Sequence, residues 1–335
     1  MWWLSLGISC VVVVALRGQI LPQFGAERIG IATVMGLKLL GGAREAALMQ
    51  ATAALSERAA PWLNPALAAE QRGRYAAGAV SQRFVAEIWF HAAYISYRSW
   101  DAGTFSLLLS GLVAPPIEET TEFRPYGTGR QFYFGHWTAA IAYAHRFTEQ
   151  FAAGVALRYV QERWAEATVR GVVWDAGTLY WTGIGSVRFA VAVSHFGLPF
   201  HATGILPVIQ QPMYTEGQRA DFREFAPPTT FRIGIAGEVL HDDSQRWTWA
   251  LSLEHPSDNA ESYAVASEYA MRFSPAFPAE LLLRAGLRAR AAEWWGAGVG
   301  LQLPLAPITL QLDYALSTRF PLGLIHRIGC SIESL

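Results

Sequence analysis

From residue 73 to the C-terminus, apolar and polar side chains alternate with a period of two, run after run. In "RWTWALSLE", Trp247, Trp249, Leu251 and Leu253 fall on one side, and Arg246, Thr248, Ser252 and Glu254 on the other. After a Pro-Ser-Asp-Asn turn, Tyr263, Val265, Tyr269 and Met271 resume the pattern against Ser262, Glu268 and Arg272. Period two is the signature of a strand, whose successive side chains point to opposite faces. The pattern predicts fourteen strands: 73–82, 89–99, 104–112, 136–146, 151–163, 169–182, 187–197, 229–240, 246–255, 261–272, 278–290, 295–303, 308–318 and 323–333.

The connections sort by parity. The links between strands 2–3, 4–5, 6–7, 8–9, 10–11 and 12–13 are tight, as in "WDAG", "FTEQ", "GIGS" and "HDDSQ". The long connections, about 113–135 and 198–228, follow strands 3 and 7 and so share the opposite end. Short turns on one rim and long loops on the other are an asymmetry of outer-membrane barrels. The strands also have the roughly 9–11 residues that a tilted strand needs to cross hydrocarbon. Backbone amides in lipid must all be paired, so strands can span only as a closed barrel. The reading is an all-β, 14-stranded antiparallel transmembrane β-barrel over 73–335, located in the cell outer membrane with lipid as its surroundings.

The faces fit that reading. Trp247, Trp295, Tyr263, Tyr314, Trp174 and Tyr180 are candidates for the aromatic girdles at the interfaces. The inward set includes Arg158, Asp175, Arg188, Arg232, Glu238, Glu254, Glu268, Arg284, Arg288 and Asp313. These charges read first as ion-paired filling of the bore rather than as a selectivity ring. A soluble two-layer β protein also alternates, but it leaves the loop parity unexplained.

The 26 basic and 27 acidic side chains give a net charge of −1, without the basic excess that nucleic-acid binding needs. Two cysteines build no disulfide framework. Cys330 alternates with Ile328 and Ile332 and reads as a small apolar side chain.

The first residues, "MWWLSLGISCVVVVALRGQ", hold an apolar run short for a spanning helix and suited to an export signal, about 1–25; an anchor helix is the alternative. Residues 26–72 precede the barrel. Within them Leu48, Ala51 and Leu55 have helical spacing, broken at Pro61 and at Asn64-Pro65. Two readings fit: a short helical plug or hatch inside the barrel mouth, or a periplasmic cap. Fourteen strands enclose more space than side chains readily fill, which favours the plug.

"GAREAALMQATAALSERAAPWLNPALAA" resembles the amino-terminal signature of the PorV/PorQ family, a small-residue run followed by Asn64-Pro65-Ala66. "WDAGTLYWTG", "PPTTFRIGIAGEVL", "LEHPSDNAESYAVASEYAM" and "LGLIHRIGCSI" continue the resemblance over about 36–333. The family's usual Gly-Gly is Met49-Gln50 here. The resemblance implies a FadL-like barrel that serves the type IX secretion system, with the secretion translocon and secreted cargo proteins as partners. The FadL-like architecture equally suits a transporter of hydrophobic small molecules.

An embedded hydrolase has the weakest support. The sequence holds no G-x-S-x-G elbow, H-E-x-x-H pair or phosphate loop. His255 falls at a turn, His195 follows Phe189 and Val193 on the outward face, and His326 accompanies Ile328. "HDDS" at 241–244 reads as a turn before a metal site. No catalytic residue, cofactor or metal is expected.

Overall fold

A computed structural model describes residues 29–39, 41–55, 61–204, 222–274, 277–319 and 321–335. The expected export signal, Cys10 and most of "GILPVIQQPMYTEGQ" (204–218) lie outside the described residues.

The chain forms fourteen long strands: β1 Tyr75–Arg83, β2 Trp89–Ser99, β3 Gly103–Val113, β4 Phe134–Thr148, β5 Phe151–Trp164, β6 Ala167–Trp181 and β7 Arg188–Gly197. They continue as β8 Thr230–His241, β9 Gln245–Pro256, β10 Ser262–Ser274, β11 Phe277–Ala289, β12 Trp295–Leu305, β13 Ile308–Arg319 and β14 Gly323–Ser334. Each pairs antiparallel with its neighbours in sequence. The cylinder closes where β1 meets β14, from Ala76 opposite Glu333 to Arg83 opposite His326. This is the 14-stranded closed barrel that the alternation predicts, with boundaries moved by a residue or two.

The start of β1 and the end of β14 define one rim, here the terminus rim. The connections 114–133 and 198–229 both stand on the other, the loop rim. The first carries a small hairpin pairing Ile117–Glu118 with Gln131–Phe132. Short pieces of the second fold back over the bore. Ala202–Gly204 pairs with the start of β6, and Phe200 bridges to Phe225.

The outward face is apolar: Ile95, Leu107, Leu109, Ile141, Val265, Leu287 and Ile328 are all exposed. Aromatic residues cross the terminus rim in register, Tyr75 beside Tyr97, Tyr97 beside Phe105 and Phe105 beside Tyr143. Of the expected girdle residues, Trp247, Tyr263, Trp295 and Tyr180 lie near strand ends. Trp174 and Tyr314 lie mid-strand instead, because outward parity fixes a side chain's face but not its height. The Tyr314 hydroxyl is 2.6 Å from His326 Nδ1 on that outer face.

The segment before β1 runs inside the barrel. Ala46, Ala47, Leu48, Ala51, Ala53, Ala54 and Leu55 are fully buried, as are Asn64, Ala66 and Leu67. They press on an inner wall of alanine, including Ala144, Ala152, Ala190, Ala236, Ala250 and Ala266. Two wall glycines bring backbone against backbone. A Cβ on Gly154 would come within 2.6 Å of the Ala66 amide, and one on Gly286 within 2.8 Å of the Leu48 carbonyl carbon.

The helix expected through Leu48, Ala51 and Leu55 does not form. Helix α1 spans only Ala43–Ala47. Met49 and Gln50 then turn to φ of 48° and 66°, and the Gln50 amide reaches back to the Glu45 carbonyl. Leu48, Ala51 and Leu55 are each enclosed by wall rather than on one stripe, so the tertiary fit overrides helical spacing. Asn64 then caps a 3₁₀ turn, Pro65–Glu70, with Pro65 at its first position.

His195 also departs from expectation, for it faces inward. The β6–β7 ladder shifts register between Trp174 and Ala176, and His195 adopts a φ of 58°. Its amide donates to Asp175 Oδ1 at 2.7 Å, and Thr229 donates to its carbonyl at 3.0 Å. One extra residue at a bulge moves the next side chain to the other face.

Asn64 fastens the plug. Its Nδ2 donates to the Ala53 carbonyl at 2.9 Å and to the Thr178 carbonyl of β6 at 3.1 Å, while Oδ1 accepts from the Ala66 amide. Breaking buried hydrogen bonds of this kind costs roughly 1–3 kcal/mol for each group left unpaired. Asn64→Ala is therefore expected to loosen residues 41–72 while the barrel stays closed. Limited proteolysis should cut the plug while heat-modifiable gel mobility of the barrel is retained; an uncut plug counts against the latch.

Candidate functional site: a chamber inside an ion-paired lumen

Parity puts the charged residues of the strands into the bore, where a lone charge is costly. The structure gathers them into groups. Glu268 on β10 accepts from Arg44 of the plug at 2.8 and 2.9 Å and from Arg284 on β11 at 2.6 Å. Arg284 also reaches Asp313 on β13. Arg232 on β8 pairs with Glu254 on β9 at 3.0 Å and donates to Ser194, while Arg288 holds the other Glu254 oxygen and the Ser262 hydroxyl. Nearer the terminus rim, Arg188 bonds the Ala54 carbonyl of the plug and Glu238, which also meets His241. Arg158 and Asp175 form a further buried pair.

Several members escaped the sequence reading. Arg44 and Lys38 come from the plug, and Lys38 pairs with Asp258 beyond β9. Arg327 on β14 joins Gln82, Ser317 and Glu293. Parity could have found Arg327, which shares a face with Gly329 and Ser331 against Ile328 and Cys330. Nothing in the sequence pairs Arg44 with a strand 224 positions away.

Below these groups, at the terminus rim, plug and wall leave a chamber of about 440 Å³. Pro61, Ala68 and Glu70 form its plug side, and Tyr94, Pro304 and Gln311 belong to its wall. That volume lies in the ordinary range for a small-molecule pocket. The lining mixes apolar rings and alkyl groups with amides, carboxylates and the guanidinium groups of Arg72 and Arg272. Among the described residues no group of three or more His, Cys, Asp or Glu is placed to hold a metal.

Two plug carboxyls are perturbed. Burial pushes the Glu45 carboxyl above its ordinary value, outweighing nearby Arg44. Glu70 is raised too, by burial, against the opposing pull of its partner Arg146.

Removing the Glu268 charge leaves Arg44 and Arg284 short of a counter-ion in the bore. Breaking a buried pair in this way costs about 3–5 kcal/mol. Glu268→Gln should lower the urea midpoint of the detergent-solubilised barrel accordingly; an unchanged midpoint removes the argument that this triad holds the plug.

Glu45 carries a pH dependence. Its folded carboxyl keeps the proton to higher pH than the unfolded one, so its contribution to stability is complete below the ordinary carboxylate range. That contribution is lost as pH rises through the folded value. Thermal melts of Glu45→Gln should fall less between mildly acidic and mildly alkaline buffer than those of the parent protein. Equal slopes would show that Glu45 ionises as freely folded as unfolded.

No family model and no curated protein matches the sequence. Solved structures do match in fold. The CymD monoaromatic hydrocarbon channel aligns with a TM-score of 0.57 and 11% identity, over 88% of this chain and 97% of that one. The Ralstonia pickettii toluene transporter TbuX gives 0.55 and 10%, over 90% and 100%. A Pseudomonas aeruginosa FadL homologue gives 0.51 and 10%, over 88% and 98%. The fold is FadL-like.

Proposed function

We propose that this protein sits in the outer membrane and passes small hydrophobic molecules between the loop rim and the chamber at the terminus rim. The observation that carries the reading is the chamber itself, a partly apolar cavity between plug and wall inside a closed barrel with an apolar exterior. The solved structures similar in fold include a toluene transporter and a monoaromatic hydrocarbon channel, which supports the same cargo class. The apolar band suits bilayer, and the aromatic row across the terminus rim suits its interface. The chemistry is non-enzymatic binding and release.

A second reading, an accessory of type IX secretion that binds its translocon and cargo, draws on the loop rim. There the hairpin between β3 and β4 holds Phe123 and Tyr126 almost wholly exposed, at 92% and 98%. Exposed aromatics of this kind suit a protein partner.

Vesicles carrying the reconstituted protein decide between them. Uptake of toluene several-fold faster than into protein-free vesicles is expected. Uptake at the protein-free rate, with Phe123 and Tyr126 required for co-purification of a partner from native membranes, moves the assignment to secretion.

A further inference from the structure

Above the chamber lie two smaller cavities, the first against the inner face of β1, β2, β13 and β14, the second on the other side of Trp62 against β2, β3, β4, β5, β7 and β8. The first is about 50 Å³ and shares Tyr94, Gln311 and Ser331 with the chamber. The second is about 20 Å³, shares Gly41 and Trp62 with the one below it, and reaches Phe90 and Arg158. The wall positions climb in step. On β1 the lining passes from Ala76 to Gly78, on β14 from Ser331 to Gly329, and on β13 from Gln311 to Asp313. The lower two thus stack, and the third continues from them past Gly41 and Trp62, so the series narrows from the terminus rim inward.

Two aromatic rings interrupt it. Trp62 of the plug stands edge-on to Tyr94 of β2, with centroids 6.3 Å apart and planes at 89°. Trp62 packs against both neighbouring apolar clusters, one containing Val80 and Phe90, the other Leu108 and Ala140. Each ring lies over a glycine. A Cβ on Gly41 would come within 2.2 Å of the Trp62 indole, and one on Gly78 within 2.6 Å of the Tyr94 ring. Both rings therefore rest directly on backbone, in space that any side chain at 41 or 78 would fill.

We propose that Trp62 and Tyr94 form an aromatic gate, and that rotation of the Trp62 side chain joins the three cavities into a conduit for small uncharged molecules about one ring wide. The cargo class rests on the transport reading above; the gate does not. An indole that turns aside leaves a slot of its own cross-section, and the edge of Tyr94 offers an arriving ring the same contact that it offers Trp62. The one carboxyl beside the slot on the plug is that of Glu45, and its burial favours the neutral form. The charges that also line these cavities, Arg44 and Asp313 in the first and Lys38, Arg158 and Arg232 in the second, each face a partner of opposite charge.

Planar-bilayer conductance of the full-length protein tests the gate. Trp62→Ala and Tyr94→Ala should each raise single-channel conductance several-fold over the parent. Trp62→Phe should give an intermediate rise, and Trp247→Ala on the outer face should give none. Heat-modifiable mobility checks that each variant is folded, and Trp62→Phe carries the test where Trp62→Ala does not fold. Parent-level conductance in the folded Trp62 and Tyr94 variants overturns the gate, even where the parent takes up toluene. Raised conductance in a protein that takes up no toluene keeps the gate and discards the cargo assignment.

Discussion

The ladder between β1 and β14 is the contact on which the rest depends. Eight paired positions join the two ends of the barrel, from Ala76 and Glu333 to Arg83 and His326. Without them the sheet would have two open edges, which lipid cannot satisfy. With them, strand side chains are assigned to one of two environments by parity, except where a bulge shifts it, as at His195. Ile328, Cys330 and Ile332 face out, while Arg327, Gly329 and Ser331 face in. Inward charges then have no water-facing alternative in the middle of the bore, so Arg232, Arg284 and Arg288 must find carboxylates. Arg232 finds Glu254 and Arg284 finds Glu268 directly opposite on the adjacent strand, and Arg288 reaches across β10 to Glu254.

Closure at fourteen strands creates a second requirement, because the bore is wider than its own side chains fill. The sequence answers with small residues on both surfaces. Alanines of the plug lie on alanines and glycines of the wall, so main chain meets main chain at distances where a methyl group would collide. A side-chain-poor interface has little to interlock. Specificity comes instead from a few polar fasteners, Asn64 to Thr178, Arg44 to Glu268 and Lys38 to Asp258. The tight fit also bends the plug. Met49 and Gln50 occupy left-handed conformations, where glycine would sit without strain.

Much of this is legible in the amino-acid pattern. Period two located all fourteen strands, because each strand has one lipid-like and one lumen-like face and no packing exception interrupts most of them. The long loops after β3 and β7 were legible from chain order. Less visible was anything set by height or by a local break. Trp174 and Tyr314 have the right face and the wrong height for a girdle. His195 reads as outward from the sequence because a bulge is a single-residue event that leaves the alternation of "VRFAVAVSH" untouched. The plug does hold a short helix, Ala43–Ala47, but it stops short of Leu48, Ala51 and Leu55, which are buried all round, and full burial carries no period. The chamber has no sequence signal, since its lining is scattered over seven strands and the plug.

The fasteners also constrain how such a barrel can open. Withdrawing the plug as a body would strip Glu268 of Arg44, Asp258 of Lys38 and Thr178 of its bond to Asn64. Separating even one such buried pair costs several kcal/mol. Turning Trp62 over Gly41 breaks none of these contacts and forfeits chiefly ring packing, an aromatic pair being worth about 0.5–1.5 kcal/mol beyond its buried area. A closed resting state and a thermally accessible open one are then compatible in the same fold. The ion pairs that make the plug hard to expel are what confine opening to the cavities beside it, where apolar rings and glycines face each other and no charge has to give up its partner.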